Sequence, residues 1–195
     1  MKNNKDKYYN AAYYVLFTAV ITILLMIILF GLIKAKDLET YKPKRISYIQ
    51  PEYIIKYWNY TFKADSILTS YNSKITGKIL ANAWKKTYLS YSVDVPLSLA
   101  LSQLQLESSF GKSRIAIKNN NPYNIVIRGK FANYSTLEEG IEEYYKLIAT
   151  RYLSCKSVEQ LLISFTNCSN NRYAESPTYE ASLKPLINKY AKVYY

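Results

Sequence analysis

One carboxylate stands out because of its apolar surroundings. Residues 104–113 read LQLESSFGKS, so Glu107 follows a helix-forming run and precedes Gly111. Four apolar residues predict one stripe of a helix over about residues 96–110: Leu97, Ala100, Leu101 and Leu104. Glu107 lies on the same stripe, three residues after the last of them. A carboxyl group in such a setting has a raised pKa and donates a proton near neutral pH. The alternative is a solvated acid at a helix end.

The chain contains no histidine, which narrows the chemistry that it can perform. A Ser/His/Asp triad, a Cys/His dyad and most zinc sites are excluded. Cys155 and Cys168 flank a short predicted helix and form either a disulfide or two buried free thiols. Without histidine to activate it, neither is expected to be catalytic. Proton chemistry must then use Glu, Asp, Tyr, Lys or Cys. We expect no cofactor and no metal ion.

The net charge of +12 favours an anionic partner. Such a field attracts nucleic acid, phospholipid head groups, teichoic acids or a carboxylated cell wall. A compositional bias toward Lys, Asn and Tyr is an equally good explanation of the charge. No finger or RNP-like motif is present, so nucleic acid is not the expected partner.

The stretch from Ala11 to Ile33 contains no charged residue. As a helix it spans roughly 30 Å, the thickness of the hydrocarbon core, and predicts a transmembrane signal anchor. Residues 1–10 form a basic tail before it. We expect a single-pass protein of the inner membrane or of a virion membrane, with its C-terminal domain on the cell-wall side. The distribution of Lys and Arg around the span does not itself favour this orientation.

Residues 34–72 are interpreted as a juxtamembrane stalk, and residues 73–195 as a mainly α-helical domain. Within 34–72, the Tyr- and Trp-rich residues 51–70 either pack on the domain or lie on the membrane surface. Apolar spacing predicts an amphipathic helix at the start of the domain, around residues 75–88. Between residues 114 and 134, an Asn run and an Ile-Val-Ile stretch allow at most a minimal β-hairpin.

Three further helices are predicted by their start signals. The pattern Ser135-Thr-Leu-Glu138 is a capping box that opens a helix through about residue 152. Ser157-Val-Glu-Gln160 repeats the pattern for a short helix to about residue 165. Ser176-Pro177 begins a last helix that ends near residue 192.

Four motifs, taken in order, resemble one family. They read VPLSLALSQLQLESSFGKSRIA, NNNPYNI, FANYSTLEEGIEEYYKLI and YAESPTYEASLKPLINKY. Together they resemble the glucosaminidase family of peptidoglycan hydrolases, within the lysozyme-like superfamily, from about Ile75 to Tyr190. The resemblance implies a lysozyme-like helical domain that cleaves β-1,4 bonds between the amino sugars of peptidoglycan. Glycan strands of the cell wall would then be the partner.

The resemblance also implies site residues. Glu107 matches the catalytic acid, and Tyr173 matches a tyrosine that lines the cleft and is implicated in catalysis. Asn119 belongs with the motif that forms the turn at the cleft floor. The match implies five substrate-binding residues: Ser108, Phe110, Asn120, Asn121 and Tyr123. Ser108 and Phe110 would also brace the acid and its helix end.

The sequence departs from the family pattern in two places. Hydrolases of this type often carry a second carboxylate on a β-hairpin, but no Asp or Glu lies between Glu107 and Glu138. One carboxylate with Tyr173 favours a lytic transglycosylase-like or substrate-assisted route, in which a sugar oxygen replaces the attacking water. Asn124 replaces a family glycine, and asparagine tolerates the positive φ that this turn requires.

Two other interpretations of the chain stay open. In the first, the chain is a glycan-binding scaffold that keeps the fold without turnover. In the second, it is an unrelated basic membrane protein that binds lipid or nucleic acid. As an anchored enzyme, it would serve an envelope-spanning assembly or wall penetration by a phage virion.

Overall fold

Seven helices and one two-stranded hairpin make up residues 51–192, the part of the chain that this computed structural model describes. The helices are α1 Pro51–Ser70, α2 Gly77–Tyr91, α3 Leu97–Ser108, α4 Arg114–Asn119, α5 Leu137–Arg151, α6 Val158–Ile163 and α7 Tyr179–Ala191. The strands are β1 Val126–Ile127 and β2 Lys130–Phe131. The prediction of a mainly helical fold with a minimal hairpin is confirmed.

The predicted membrane span, Ala11 to Ile33, lies outside the described residues. Within residues 51–192, no helix has the length and apolar character needed to cross a bilayer.

Helix α1 packs against α2, although the sequence assigned residues 51–72 to the stalk. Tyr60, Ala64 and Leu68 of α1 are buried in the hydrophobic core. The two helices approach closely at Gly77, where a Cβ atom would lie 2.1 Å from the carbonyl oxygen of Thr61. The core therefore already includes residues before position 73.

Helix α3 ends at Ser108, two residues before the predicted end near residue 110. Ser109 caps the helix with φ of 50°, and its N–H donates to the carbonyl of Gln105. Phe110 and Gly111 follow with φ of 63° and 79°. A positive φ is strained for a bulky residue such as Phe110. The turn after Glu107 therefore rests on three successive left-handed residues rather than on the glycine alone.

A short helix and a tight hairpin follow α3. The six-residue helix α4 was not predicted from the sequence. Ser113 caps it by accepting from Ala116 N. The strands β1 and β2 are antiparallel, with Ile127 opposite Lys130. Arg128 and Gly129 both have positive φ, 51° and 75°, as a two-residue type I′ hairpin turn requires.

Local capping begins α5 and α6 close to the predicted positions. Ser157 and Gln160 form both bonds of the predicted capping box of α6. The cap of α5 is shifted by one residue from the prediction. Thr136 accepts from Glu139 N, and the Glu139 carboxylate accepts from Ser135 N.

A disulfide joins Cys155 to Cys168, with a Cα–Cα distance of 5.9 Å. It connects the segment after α5 to the segment after α6, next to the bond from Cys168 N to the carbonyl of Arg151. Of the two alternatives for these cysteines, the structure has the bridge.

Candidate active site

Glu107 lies in the last turn of α3, and its side chain is half-buried. Leu104, one turn earlier, is fully buried. Burial raises the pKa of the Glu107 carboxyl from an ordinary 4.5 to about 7, because a charged carboxylate is poorly solvated there. At neutral pH a substantial fraction of these carboxyls is therefore protonated. Such a group can donate a proton and, once ionised, take one back.

Tyr179, at the start of α7, holds the carboxyl of Glu107. Its hydroxyl donates to Glu107 Oε1 at 2.9 Å. This hydrogen bond favours the carboxylate and lowers the pKa of Glu107, while the larger effect of burial raises it. The bond fixes one carboxyl oxygen, so the orientation of the acid is set by a helix that lies 72 residues away in sequence.

A buried chain of hydrogen bonds continues from Tyr179 into the core. Gln103 Nε2 donates to the Tyr179 hydroxyl at 2.8 Å, and Gln103 Oε1 accepts from the Tyr144 hydroxyl at 2.6 Å. Gln103 and Tyr144 are completely buried, and Tyr179 is nearly so. The chain runs Tyr144–Gln103–Tyr179–Glu107 and joins α5, α3 and α7. Because every link is directional, it restricts the position of the Glu107 side chain.

Tyr173 lies beside this chain. Its ring centroid is 5.7 Å from that of Tyr179, and its hydroxyl donates to the carbonyl of Tyr123 at 3.2 Å. Burial raises the pKa of Tyr173 well above its usual value, and the nearby charge of Glu107 adds to the rise. Tyr173 is therefore a neutral phenol close to the acid, with its proton directed at the main chain.

The Asn119–Asn121 turn is held to the rest of the domain by side-chain amides. Asn120 Nδ2 donates to the carbonyls of Tyr134 and Ser135, at 3.0 and 3.3 Å. Asn121 is fully buried, and its amide bonds both main-chain groups of Ile125 and the carbonyl of Ala132. These bonds shape the turn, and a role in binding substrate stays a prediction for both asparagines.

The turn packs closely on α5. A Cβ atom on Gly140 would lie 1.9 Å from the carbonyl oxygen of Asn120. Only glycine permits this approach, which seats the turn against the first part of α5.

Tyr123 and Asn124 connect the turn to the acid. The Tyr123 ring is fully buried and stacks on Tyr144, with centroids 3.4 Å apart. Asn124 has φ of 50°, as its replacement of a family glycine led us to expect, and its Nδ2 donates to the carbonyl of Glu107 at 2.6 Å. Among the described residues, the Tyr123 hydroxyl and Asn124 Oδ1 have no hydrogen-bond partner. The Tyr123 side chain is therefore buried in the core and does not form part of an open surface.

Ser108 and Phe110 are both buried and support the end of α3. The Ser108 hydroxyl accepts from Gly111 N at 2.8 Å and donates to the carbonyl of Leu104 at 3.2 Å. Phe110 stacks on Tyr71, with centroids 4.3 Å apart, and meets Tyr190 edge-on. Both residues therefore contact the helix end and the core. Their roles in bracing the acid and in contacting substrate stay predictions.

Burial raises the pKa of Glu107 and the hydrogen bond from Tyr179 partly opposes that rise, while no second carboxylate contributes among the described residues. Sequence reasoning missed Tyr179, Gln103 and Tyr144 as partners of the acid. Two signals were available. Tyr179 is the last residue of the YAESPTY motif, and Gln103 precedes Glu107 by four residues, on the same helix face. Nothing in the sequence connected Tyr144 to either.

The described residues thus form a mainly helical domain with one partly protonated glutamate held by a buried hydrogen-bond chain. A family model described as "Glucosaminidase: Mannosyl-glycoprotein endo-beta-N-acetylglucosaminidase" matches residues 81–192, more than half of the sequence. The chain belongs to the glucosaminidase family of peptidoglycan hydrolases. This family implies a glycoside hydrolase that acts on peptidoglycan. No curated protein matches the chain.

Proposed function

We propose that this protein is a membrane-anchored enzyme that cleaves β-1,4 bonds between the amino sugars of peptidoglycan, with Glu107 as its general acid. One observation carries the proposal: Glu107 is half-buried, is bonded to Tyr179, and has a pKa of about 7. Glycoside cleavage requires a carboxylic acid that is still protonated near neutral pH. Family membership supplies the substrate class.

In the first step, Glu107 donates its proton to the glycosidic oxygen while the bond from this oxygen to the anomeric carbon breaks. The leaving sugar departs with a new hydroxyl group, and Glu107 becomes a carboxylate. The Tyr179 hydroxyl stabilises that carboxylate through its existing bond. Tyr173, a neutral phenol near the acid, is proposed to line the cleft and to assist at the reacting centre.

The second step needs a nucleophile at the anomeric carbon. No carboxylate lies between Glu107 and Glu138 in the sequence, so an enzyme carboxylate on the hairpin is not available for this step. We favour attack by an oxygen of the sugar itself. Where that oxygen is a hydroxyl, the Glu107 carboxylate removes its proton and the acid is regenerated, as in a lytic transglycosylase-like route. Where it belongs to the N-acetyl group, water later opens the ring and gives its proton to Glu107.

The protein's place in the cell follows from the sequence interpretation. Residues 1–10 are proposed as a cytoplasmic or virion-interior tail, and residues 11–33 as the anchor. The catalytic domain, described in the structure from residue 51, would lie on the cell-wall side with a lysozyme-like arrangement. The anchor would confine cleavage to the vicinity of the membrane, as local remodelling for an envelope-spanning assembly or phage entry requires.

A non-catalytic glycan-binding scaffold is the second candidate. The missing second carboxylate favours it, because hydrolases of this type often carry two. The wild-type protein would then bind wall glycan without clearing it.

Digestion of purified cell wall tests the proposal with two matched variants. Glu107→Gln removes the acid and keeps the shape, so activity should fall by about 10²–10⁴-fold. Glu138→Gln is the control, because this exposed glutamate lies in the first turn of α5. It should retain wild-type activity. Equal clearing by wild type and Glu107→Gln would contradict the role of Glu107. Absence of clearing by wild type, with glycan binding intact, would favour the scaffold.

The products distinguish the alternative routes of the second step. A cyclised anhydro-muramic end, one water lighter than a reducing end, is expected for transglycosylation. A reducing end in all products would exclude that route and leave hydrolysis, with or without participation of the N-acetyl group.

A further inference from the structure

Helix α1 has a second apolar face, opposite to the one that it buries. Tyr60, Ala64 and Leu68 enter the core. Four large apolar side chains on the other side remain exposed to solvent: Ile54 (46%), Ile55 (59%), Trp58 (61%) and Phe62 (80%). Positions 54, 58 and 62 are spaced by four residues and form one row, with Ile55 beside it. We call these four residues the α1 stripe.

The composition of the α1 stripe fits a lipid surface. Its members are aliphatic or aromatic, and tryptophan favours the boundary between hydrocarbon and head groups. The neighbouring helix α2 carries Lys78, Lys85 and Lys86 and no acidic residue, and of these Lys86 is paired with Glu142 of α5. Lys85 Nζ lies 5.7 Å from the ring centroid of Tyr57 on α1, so positive charge is close to α1. An apolar face with basic residues nearby is typical of helices that lie in the interface of an anionic membrane.

The position of α1 in the chain also supports a lipid membrane as the partner of the α1 stripe. Residues 34–50 separate it from the uncharged stretch that ends at Ile33. Seventeen residues extend at most about 60 Å, so an anchored chain would keep α1 close to the bilayer. This tether raises the local concentration of lipid at the stripe, and weak contacts suffice for binding.

A second copy of the chain fits the α1 stripe less well. Stable interfaces bury about 800 Å² on each partner. Four side chains on one helix supply only part of such an area, and charged or polar residues, among them Glu52, Asn59 and Ser66, flank the stripe. A flat lipid surface needs no shape complementarity and accepts a narrow strip.

We propose that the α1 stripe binds the membrane surface and holds the catalytic domain against the bilayer through Ile54, Ile55, Trp58 and Phe62. The inference rests on the proposed anchor at residues 11–33. It is independent of the role of Glu107. Peptidoglycan close to the membrane would then be cleaved in preference to distant layers.

Tryptophan fluorescence of the full-length chain in anionic vesicles with brominated lipids tests the proposal. The chain has two tryptophans, and Trp84 is fully buried in the core. Trp58 should be quenched, most strongly by bromine near the head-group end of the acyl chains, and Trp58→Phe should lose most of this quenching. Quenching of Trp58 by aqueous acrylamide but not by lipid would overturn the proposal. Shielding from both quenchers would also overturn it, because protein would then cover the stripe.

Two variants show which side chains make the contact. Replacing both Ile54 and Phe62 by Ser should abolish most of the lipid quenching of Trp58 and increase its exposure to acrylamide. Ile163→Ser is the matched control, because Ile163 is 83% exposed and lies on α6. It should leave the quenching unchanged. Unchanged quenching in the double variant would overturn the proposal.

Flotation and wall digestion separate this proposal from the others. Flotation of the full chain with vesicles after an alkaline wash reports the anchor. Its failure would overturn both the anchor and the α1 stripe, while digestion of purified wall would still report on Glu107. The Ile54/Phe62 double variant should digest purified wall like the wild type. A tenfold loss would show that the stripe serves catalysis and would overturn the proposal.

Discussion

Two regions of the domain, the surroundings of Glu107 (the acid side) and the hairpin β1–β2 (the hairpin side), differ in how they are constructed. Glu107 is bonded to Tyr179, and three helices contribute to the buried chain behind it. The hairpin that follows α4 has exposed side chains on both of its strands and contains no acid. The acid side therefore holds a single acid in a defined position, with a pKa of about 7. The hairpin side carries no carboxylate, and this contrast agrees with the proposed mechanism, which relies on one acid and on the substrate.

Removing the acid should stabilise the protein above about pH 5, and this is the largest effect expected from the comparison. The pKa of Glu107 is raised in the folded state, so the native protein binds more protons than the unfolded chain between about pH 4.5 and 7. Stability from this group is present below that range and is lost as the pH rises through it. Glu107→Gln should therefore be more stable than wild type by roughly 3 kcal/mol at pH 8.

Urea unfolding at several pH values measures this difference. The two proteins should unfold nearly alike at pH 4, where Glu107 is mostly neutral in both states. Parallel stability curves from pH 4 to 8 would show that Glu107 is not destabilised by its burial.

Gln103→Leu should have the next largest effect, which is a loss of stability on the acid side. The change keeps the volume but leaves the buried Tyr144 hydroxyl without its acceptor and the Tyr179 hydroxyl without its donor. The free energy of unfolding should fall by about 2 kcal/mol. Gln160→Leu is a control for the loss of a glutamine, since Gln160 caps α6 at the exposed surface. Calorimetry gives both values, and a smaller loss at Gln103 than at Gln160 would contradict the importance of the buried chain.

Tyr179→Phe should alter the pH profile of cleavage. The lost hydrogen bond favours the carboxylate, so its removal raises the pKa of Glu107. Activity that requires the protonated acid declines above this pKa, and the alkaline limb of kcat/KM should therefore move to higher pH. At pH 6, kcat should fall several-fold because the carboxyl loses its orienting bond.

Tyr173→Phe is the comparison for Tyr179→Phe, because both tyrosines belong to the motif YAESPTY. Its hydroxyl bonds to the carbonyl of Tyr123, so this variant should lower kcat and leave the alkaline limb in place. A shift of the limb in Tyr173→Phe but not in Tyr179→Phe would reverse the roles that we propose for the two tyrosines.

Substitutions in the hairpin should have the smallest effect on cleavage. Arg128 and Lys130 are exposed, and each alanine variant should change KM for wall glycan by less than about fivefold, with kcat unchanged. Initial rates on soluble glycan strands measure both constants. A tenfold fall in kcat would mean that the hairpin takes part in the chemistry, and the contrast between the two sides would fail.

Features of the fold that depend on a few neighbouring residues were predictable from the sequence. The capping box of α6 involves Ser157 and Gln160, three residues apart, and it forms as predicted. The positive φ of Asn124 follows from a turn that spans a few residues. Helix α4 was not predicted, because its six residues, RIAIKN, are too few to show a periodicity.

Partners that are distant in sequence were not predictable in this way. Tyr179 and Glu107 are 72 residues apart, and Gln103 and Tyr144 are 41 apart. The family motif pointed to Tyr173, while the hydroxyl that bonds the acid belongs to Tyr179. Likewise, the aromatic residues 51–70 could pack on the domain or face the membrane. The helix buries one face and exposes the other, which no pattern within α1 revealed.

The sequence by itself determined the helical class, the family, the absence of histidine chemistry and the place of Glu107 at the end of a helix. These depend on periodicity, capping and residue type, which act over a few positions. Only the tertiary structure decided the pKa of Glu107, the tyrosine that bonds it and the face of α1 that stays exposed. Desolvation and directional hydrogen bonds depend on which distant segments cover a group, and only the folded chain brings those segments together.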